Sequence, residues 1–248
     1  MKKALLHTIG MVLLTLLTQV GGIAWAVSLR FRRRLWVFAA TYAALSLSMI
    51  WIAPIFGRVP LPCSSDEKMG VHSAFYCVLN RHYVVPELRD VLADLSQSVD
   101  NAYPGTKTVV LDANFPLITG FPLLPHLSHN DGRKADIAFY YQDDGTYLRG
   151  KTRSPLGYFA YEDGPTDCPK RFISLRWDMA WVQRLWPSYQ LDIYRTVFAL
   201  NYLGKDPRIG KLFLEPHLKA TLSPSNQKVR FQGCRAARHD DHIHLELK

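Results

Sequence analysis

Two long apolar stretches fill most of the first quarter of the chain. Residues 4–27 and 35–56 contain no Lys, Arg, Asp or Glu. A helix rises about 1.5 Å per residue, so either stretch can cross a hydrocarbon core of about 30 Å. The pattern predicts a two-helix transmembrane hairpin over residues 1–58, joined by the short polar connection between the stretches.

Beyond residue 58 the apolar positions recur over shorter segments, as in a globular domain. A helix is predicted to begin at Pro86, because its apolar positions 88, 91, 92, 95 and 99 share one face. Strand patterns occur at residues 108–112, 136–141, 211–214, 228–231 and 242–247, and further helical patterns at 175–186 and 189–202. We predict one domain over residues 59–248 with an α+β fold, a small antiparallel sheet with flanking helices.

Within residues 175–186 three large apolar side chains, Trp177, Trp181 and Leu185, fall on one helical face. A tryptophan stripe can bind a glycan, but at helical spacing it more often packs into a core. We therefore interpret this face as core, with a glycan platform as the alternative.

The last strand pattern separates two kinds of side chain. With a period of two, Ile243 and its apolar partners occupy one face, and His242, His244 and Glu246 occupy the other. By the same period, Asp136 lies on the opposite face of its strand from Ile137. Both strands are therefore predicted to present polar side chains from one side of the sheet.

The charge is unevenly distributed. The chain has 30 basic and 21 acidic residues, but residues 1–58 carry seven basic residues and no acidic one. The rest of the chain is nearly neutral, without a basic stripe, which argues against a nucleic-acid partner. Four arginines lie between residues 30 and 34. The positive-inside preference keeps them in the cytoplasm and predicts that the amino terminus and the domain face the periplasm or exterior.

An alternative topology takes residues 1–26 as a cleaved signal peptide, since a basic start, an apolar run and Ala24-Trp25-Ala26 fit that pattern. Cleavage would leave the arginines outside and the domain in the cytoplasm. The hairpin is preferred because it keeps the arginines inside.

All four cysteines lie after the membrane segment, at positions 63, 77, 168 and 234. An even number suits two disulfides in an oxidising compartment. Proximity favours Cys63 with Cys77 and Cys168 with Cys234, although four cysteines allow three connectivities. Free buried thiols in a cytoplasmic enzyme remain the alternative.

Two histidine-rich segments indicate a metal site. His129 and Asp136 lie seven positions apart, and His239-Asp240-Asp241-His242-Ile243-His244 lies near the end of the chain. Two imidazoles and one carboxylate can fill three corners of a tetrahedron and leave the fourth for water, as in catalytic zinc sites. Together the segments predict bound Zn²⁺.

These segments resemble a known family. Ser128-His129-Asn130-Asp131-Gly132-Arg133-Lys134-Ala135-Asp136 and the histidine-rich carboxy-terminal segment are similar to the penicillin-insensitive murein endopeptidases. The wider zinc group includes the D-Ala-D-Ala carboxypeptidases, the vancomycin-resistance dipeptidase and the hedgehog signalling domain. The resemblance implies a zinc metallopeptidase that hydrolyses D-amino-acid-containing peptide bonds of peptidoglycan. The membrane hairpin lies outside the resemblance, and it predicts that the enzyme is anchored in the bacterial inner membrane.

The resemblance also implies individual roles. The ligands correspond to His129, Asp136 and His244, and His239, His242 and His126 correspond to active-site histidines. Ser128 is part of the first motif and is expected near the substrate. Gly132 suits a tight turn between the ligands.

Two departures leave the subclass open. Asp241 lies where the carboxypeptidase and dipeptidase branches place an acidic base, and Asn114 lies where some relatives carry an arginine. We expect Asp241 to be the base if the strand begins at His242, with His239 as second candidate and His242 contacting the transition state. The alternatives are a D,D-carboxypeptidase or dipeptidase and an inactive zinc-binding cell-wall module.

Overall fold

The computed structural model describes residues 2–63, 67–166, 168–169, 175–177 and 179–248. Its α-helices are α1 (Lys2–Thr18), α2 (Gly21–Ser28), α3 (Arg34–Ile52), α4 (Ala74–Val78), α5 (Pro86–Ala102), α6 (Ala180–Gln183), α7 (Ile193–Lys205) and α8 (Pro216–Leu222). Its strands are β1 (Val59–Pro60), β2 (Met69–Val71), β3 (Tyr83–Val84), β4 (Thr108–Val110), β5 (Lys134–Ala138), β6 (Tyr141–Asp143), β7 (Thr146–Tyr147), β8 (Gln190–Leu191), β9 (Ile209–Phe213), β10 (Val229–Arg230) and β11 (His242–Leu247). The fold is mixed, with helices and small sheets.

The first apolar stretch forms two helices rather than one. Gln19, between α1 and α2, takes a left-handed backbone conformation with φ of 68°, and α2 folds back along α1. The ring of Trp25 in α2 lies 5.9 Å from the ring of His7 in α1. Gly22 permits this close packing, because a Cβ there would lie 2.0 Å from Thr15 Oγ1. The amino terminus therefore lies at the same end of the helical unit as the arginine-rich connection.

The second apolar stretch forms a continuous helix. α3 extends through a 3₁₀ turn at Ala53–Phe56, so that Arg34–Phe56 makes an apolar helix of 23 residues. Among the described residues, it is the one helix long and apolar enough to cross a membrane. The predicted pair of spanning helices is not confirmed, because α1 ends after 17 residues.

The main sheet has six strands in the order β10-β9-β11-β5-β4-β2. β11 lies in the middle, antiparallel to β5 and to β9. The outer pairs β10–β9 and β2–β4 are parallel, so the sheet is mixed rather than wholly antiparallel as predicted. Parallel neighbours require crossover connections; the sequence predicted the helix α5 but not its role as a crossover, and it did not predict α8. Smaller sheets pair β1 with β3 and β6 with β7 and β8.

The predicted helix at Pro86 is confirmed as α5. Its apolar face is buried against the sheet in the main hydrophobic core, through Leu88, Val91, Leu92, Leu95 and Val99. α7 packs beside it, with its amino terminus capped by Asp192, whose carboxylate accepts from the backbone N–H of Arg195 at 3.0 Å. Helices thus cover one face of the sheet.

The predicted helix over residues 175–186 is largely wrong, and so is its predicted core packing. Among the described residues of this segment the structure has only the short α6, and Met179 before it takes a left-handed conformation with φ of 43°. Trp181 and Leu185 are each 68% exposed. Residues 170–174 and residue 178 lie outside the described residues. Periodicity alone did not reveal that these apolar side chains are exposed to solvent.

Both predicted disulfides are present. Cys63 is bonded to Cys77 in α4, and Cys168 is bonded to Cys234. The second bond joins the segment before α6 to the segment that leads into β11. It therefore ties together two pieces of irregular chain beside the middle of the sheet.

Candidate metal centre

The middle of the main sheet carries three of the predicted site residues. In the β11–β5 pair, His244 lies directly opposite Asp136. His242, two positions earlier, shares its face because side chains alternate along a strand. His244 Nδ1 lies 2.8 Å from Asp136 Oδ1. The predicted parity of the two strands is confirmed.

His129 joins them from the irregular stretch between β4 and β5. Its Nδ1 lies 2.8 Å from the carbonyl oxygen of Ala113, so Nδ1–H donates there and the lone pair of Nε2 is free. His129 Nε2 lies 3.3 Å from Asp136 Oδ1 and 3.1 Å from His244 Nδ1. Three donor atoms therefore form a triangle with edges between 2.8 and 3.3 Å.

This triangle has the dimensions of a metal site. With ligand bonds of about 2.0–2.1 Å, two donors on a zinc tetrahedron lie about 3.3 Å apart. His126 is also near, since its Nδ1 lies 3.3 Å from Asp136 Oδ2, and the ligand atoms of His126, His129 and Asp136 lie within 4.8 Å of one another. These buried side chains could hold a metal ion.

Hydrogen bonds hold the irregular stretch that carries His129 in place. The buried guanidinium of Arg58 donates to the carbonyl oxygens of Phe115 and Asn130. Gly132 has φ of 80°, and a Cβ there would lie 3.1 Å from Val85 Cγ1, which explains the glycine. Its N–H donates to Asn114 Oδ1 at 2.9 Å. Asn114 thus fixes the turn between the two motif residues.

Two further groups orient the central side chains. The hydroxyl of Tyr158 donates to Asp136 Oδ2 at 2.6 Å and accepts from the backbone N–H of Asp112 at 3.0 Å. Glu246 Oε1 lies 3.4 Å from His244 Nε2, which leaves Nδ1 of that ring directed at Asp136. Contacts of this kind select the tautomer and rotation of a ligand. Sequence reasoning missed Tyr158, because no local pattern marks a lone tyrosine in an irregular segment.

A buried ion pair, Arg81 with Asp112, lies beside the ring of His126. Arg81 binds Asp112 through two bonds of 2.6 and 2.7 Å, and Asp112 Oδ2 lies 3.0 Å from His126 Nδ1. Burial alone would raise the pKa of Asp112, but Arg81 and His126 outweigh it and lower that pKa to about 2. The sequence did not single out this pair either.

The central carboxylate is strongly acidic. Burial would raise the pKa of Asp136, but the neighbouring His129 and His242 hold it well below its usual value. Burial lowers the pKa of His129 and, well below its usual value, that of His239. His242 differs, because Asp136 and Asp241 outweigh its burial and raise its pKa to about 9.

Asp241 was expected to be the base only if the last strand begins at His242. β11 does begin at His242, and Asp241 lines the cleft. Both of its oxygens are engaged, however. Oδ2 accepts from the backbone N–H of Phe159 at 2.6 Å, and Oδ1 contacts His242 Nδ1. His242 Nε2 then points towards the centre, 3.6 Å from Asp136 Oδ1.

His239 lies beside the same ring. Its ring centroid is 5.1 Å from that of His242 and 5.4 Å from that of His244. Within the described residues its Nδ1 has no hydrogen-bond partner although it is buried. Buried polar groups are normally hydrogen-bonded, so this unpaired nitrogen calls for a functional or structural explanation.

The cluster opens into a cleft rather than lying sealed in the core. One wall comprises residues 125–129, including Ser128, and the other comprises Leu175, Gln232, Ala236 and Ala237. An adjoining lobe is aromatic, lined by Tyr158, Phe159, Tyr161 and Trp177. All the predicted site residues therefore lie around one cleft.

Comparisons with known proteins add no identity. No family model matches the chain, and no curated protein matches it.

Proposed function

We propose that this chain is a membrane-anchored zinc metallopeptidase that hydrolyses D-amino-acid-containing peptide bonds of peptidoglycan, with murein endopeptidase activity. The observation that carries the proposal is the triangle formed by His129 Nε2, Asp136 Oδ1 and His244 Nδ1, with edges of 2.8–3.3 Å. Its donor set and dimensions fit a three-ligand zinc site with one open position. The family resemblance of the two motifs supplies the substrate class.

The third ligand is taken to be His244 rather than His126. His244 lies directly opposite Asp136 in the sheet and is oriented by Glu246. His126 Nδ1 lies 3.0 Å from Asp112 Oδ2 and 3.3 Å from Asp136 Oδ2, without a hydrogen bond to either among the described residues. Its side chain is 12% exposed, whereas those of His129 and His244 are 1% and 3% exposed. His126 and Ser128 are therefore proposed to contact the substrate.

Zinc in this site would acidify a bound water and polarise the scissile carbonyl group. His242 would donate from Nε2 to the oxyanion that forms, since its Nδ1 is held by Asp241. Two groups are candidates for accepting the proton of the water. The free Nδ1 of His239 favours that histidine, because both oxygens of Asp241 already accept hydrogen bonds. Asp241 then positions His242.

A second candidate within the enzymes is a D,D-carboxypeptidase or dipeptidase. The observation that favours it is the position of Asp241, which borders the cleft three residues before the proposed ligand His244. In the resembling group, an acidic residue at this place is typical of those branches.

The anchor is proposed to be α3, with the arginine-rich connection in the cytoplasm and the domain in the periplasm or at the exterior. The support is its length and apolar composition together with the positive-inside preference. The two disulfides agree with an oxidising compartment.

The test uses the full chain in detergent, either loaded with zinc or stripped by a chelator, incubated with cross-linked muropeptides and with stem peptides that end in D-Ala-D-Ala. An endopeptidase converts dimers to monomers, whereas a carboxypeptidase releases free D-alanine, and mass spectrometry separates the two. His129→Ala is the inactive control.

Zinc-dependent turnover that is lost in the control variant would support the proposal. Bound zinc without turnover of either substrate would instead identify an inactive zinc-binding wall module. Failure to bind zinc would remove the proposal altogether.

A further inference from the structure

The helical unit contacts the domain beside the middle of α3. The hydroxyl of Tyr42 in α3 donates to the carbonyl oxygen of Val78, the last residue of α4. Asn80 Nδ2 donates to Ser46 Oγ at 3.2 Å and to the carbonyl oxygen of Thr18 at 3.3 Å. The end of α4 is therefore level with the middle of α3.

This contact determines how deep in the membrane the end of α4 would lie. Tyr42 lies eight residues after Arg34, the first residue of α3, which is about 12 Å along the axis at 1.5 Å per residue. The hydrocarbon core of a bilayer is about 30 Å thick. If α3 spans the membrane with Arg34 at the cytoplasmic surface, Tyr42 and Val78 both lie within the hydrocarbon.

The surface of the domain at this level is apolar and exposed. Phe75 and Val78 on α4 are 50% and 57% exposed, and Ile118 is 54% exposed; these three residues are called the α4 surface. Ile118 follows Leu117, whose backbone N–H donates to Gln19 Oε1 at the break between α1 and α2. No Lys, Arg, Asp or Glu occurs in residues 69–80 or 113–130.

Two polar groups at this level are paired with protein. The carbonyl oxygen of Val78 accepts from Tyr42, and the amide of Asn80 donates to α1 and α3. In hydrocarbon such groups must be satisfied internally, because no water is available. The contacts between the helical unit and the domain meet this requirement for these two groups, whereas Gln19 Nε2 and Ser73 Oγ have no hydrogen-bond partner among the described residues.

We infer that the α4 surface is embedded in the hydrocarbon of a phospholipid bilayer, so that the domain is partly sunk in the membrane. The inference rests on the proposed anchoring through α3. It places the cleft close to the bilayer, because Asn80 adjoins Arg81, which binds Asp112, which in turn contacts His126. The substrate peptides would then be those held next to the membrane.

The test measures membrane depth by spin labelling. A single cysteine carrying a nitroxide is introduced into the full chain at Val78→Cys or, separately, at Phe75→Cys, and the protein is reconstituted in phosphatidylethanolamine–phosphatidylglycerol vesicles. The native cysteines are all in disulfides. Leu47→Cys on α3 is the membrane reference. Ala220→Cys on α8, beside the opposite edge of the main sheet, is the aqueous reference.

Collision with oxygen and with a water-soluble nickel chelate is recorded for each label, and circular dichroism checks that each variant is folded. We expect labels 75 and 78 to match label 47, with nickel collisions several-fold fewer than at label 220. If label 47 is shielded but labels 75 and 78 match label 220, the inference is overturned and the anchor stands. If label 47 is also open to nickel, both the anchor and the inference fail, independently of any result on zinc or turnover.

Discussion

Removal of one hydroxyl, by Tyr158→Phe, should weaken zinc binding without emptying the cleft. The hydroxyl donates to Asp136 Oδ2 at 2.6 Å, on the side of the carboxylate away from His129. Burial, together with Asp136 and Asp112, raises the pKa of Tyr158 well above its usual value, so the hydroxyl remains a donor throughout the working pH range. The ring itself, which packs between His126 and His242, is retained in phenylalanine.

The magnitude follows from the kind of bond lost. A buried hydrogen bond to a charged acceptor contributes about 1.5–3 kcal/mol, and the loss of a group that orients a ligand costs about 10–100-fold in metal affinity. The two ranges agree, since each factor of ten corresponds to about 1.4 kcal/mol. The backbone N–H of Asp112 also loses its acceptor. We therefore expect the Kd for zinc to rise by about 10–100-fold.

The assay is competition for zinc against a chromophoric chelator, with the full chain in detergent at one pH. Tyr140→Phe is the matched control, because its hydroxyl is also buried and bonded, 2.9 Å from Thr108 Oγ1, but lies outside the cleft. The control should lose stability and keep its zinc affinity. Equal zinc affinity in Tyr158→Phe and wild type, or an equal loss in both variants, would refute the reasoning.

Three further predictions address the ligands, the base and the pH dependence of stability. His244→Ala should abolish stoichiometric zinc binding, measured by metal content after dialysis, whereas His126→Ala should retain it; the reverse result would exchange their roles. His239→Gln should lower kcat by about 10²–10⁴-fold with zinc retained, and Asp241→Asn should lower it less; the opposite order would return the role of base to Asp241. Burial lowers the pKa of His82 to about 4 in the folded protein. As the pH is lowered from about 6.5 to about 4, the unfolded state therefore binds a proton that the folded state does not. The free energy of unfolding then decreases by up to about 1.4 kcal/mol per pH unit. His82→Asn should remove this component from denaturant unfolding measured across that range, and an unchanged pH slope would contradict it.

The strands that carry the centre were predictable because their signal is local. Alternation in residues 242–247 assigned His242 and His244 to one face, and the same parity assigned Asp136. This parity depends on the period of a strand, which holds wherever the strand is placed. His129 lies in an irregular stretch and was assigned as a ligand from the resemblance of its motif to the endopeptidases.

The groups that orient the donors were not predictable in the same way. Tyr158 reaches Asp136 from an irregular segment, and Arg81 reaches Asp112 across 31 positions. Neither has a neighbour in sequence that marks it, because the contact exists only after the chain has folded. The break at Gln19 was hidden for a related reason, since residues on both sides of it are equally apolar.

The buried charges give an independent argument for a divalent cation. Around the centre, in the part of the chain that the structure describes, the three buried carboxylates Asp112, Asp136 and Asp241 have one buried arginine paired with them, Arg81 on Asp112. The buried Asp240 is paired separately, with Arg238. With neutral histidines the cluster carries two unbalanced negative charges, which are costly to hold away from water. Without metal a histidine must supply positive charge, which agrees with the pKa of about 9 at His242. A cation with charge +2 balances the cluster, so zinc uptake should release protons.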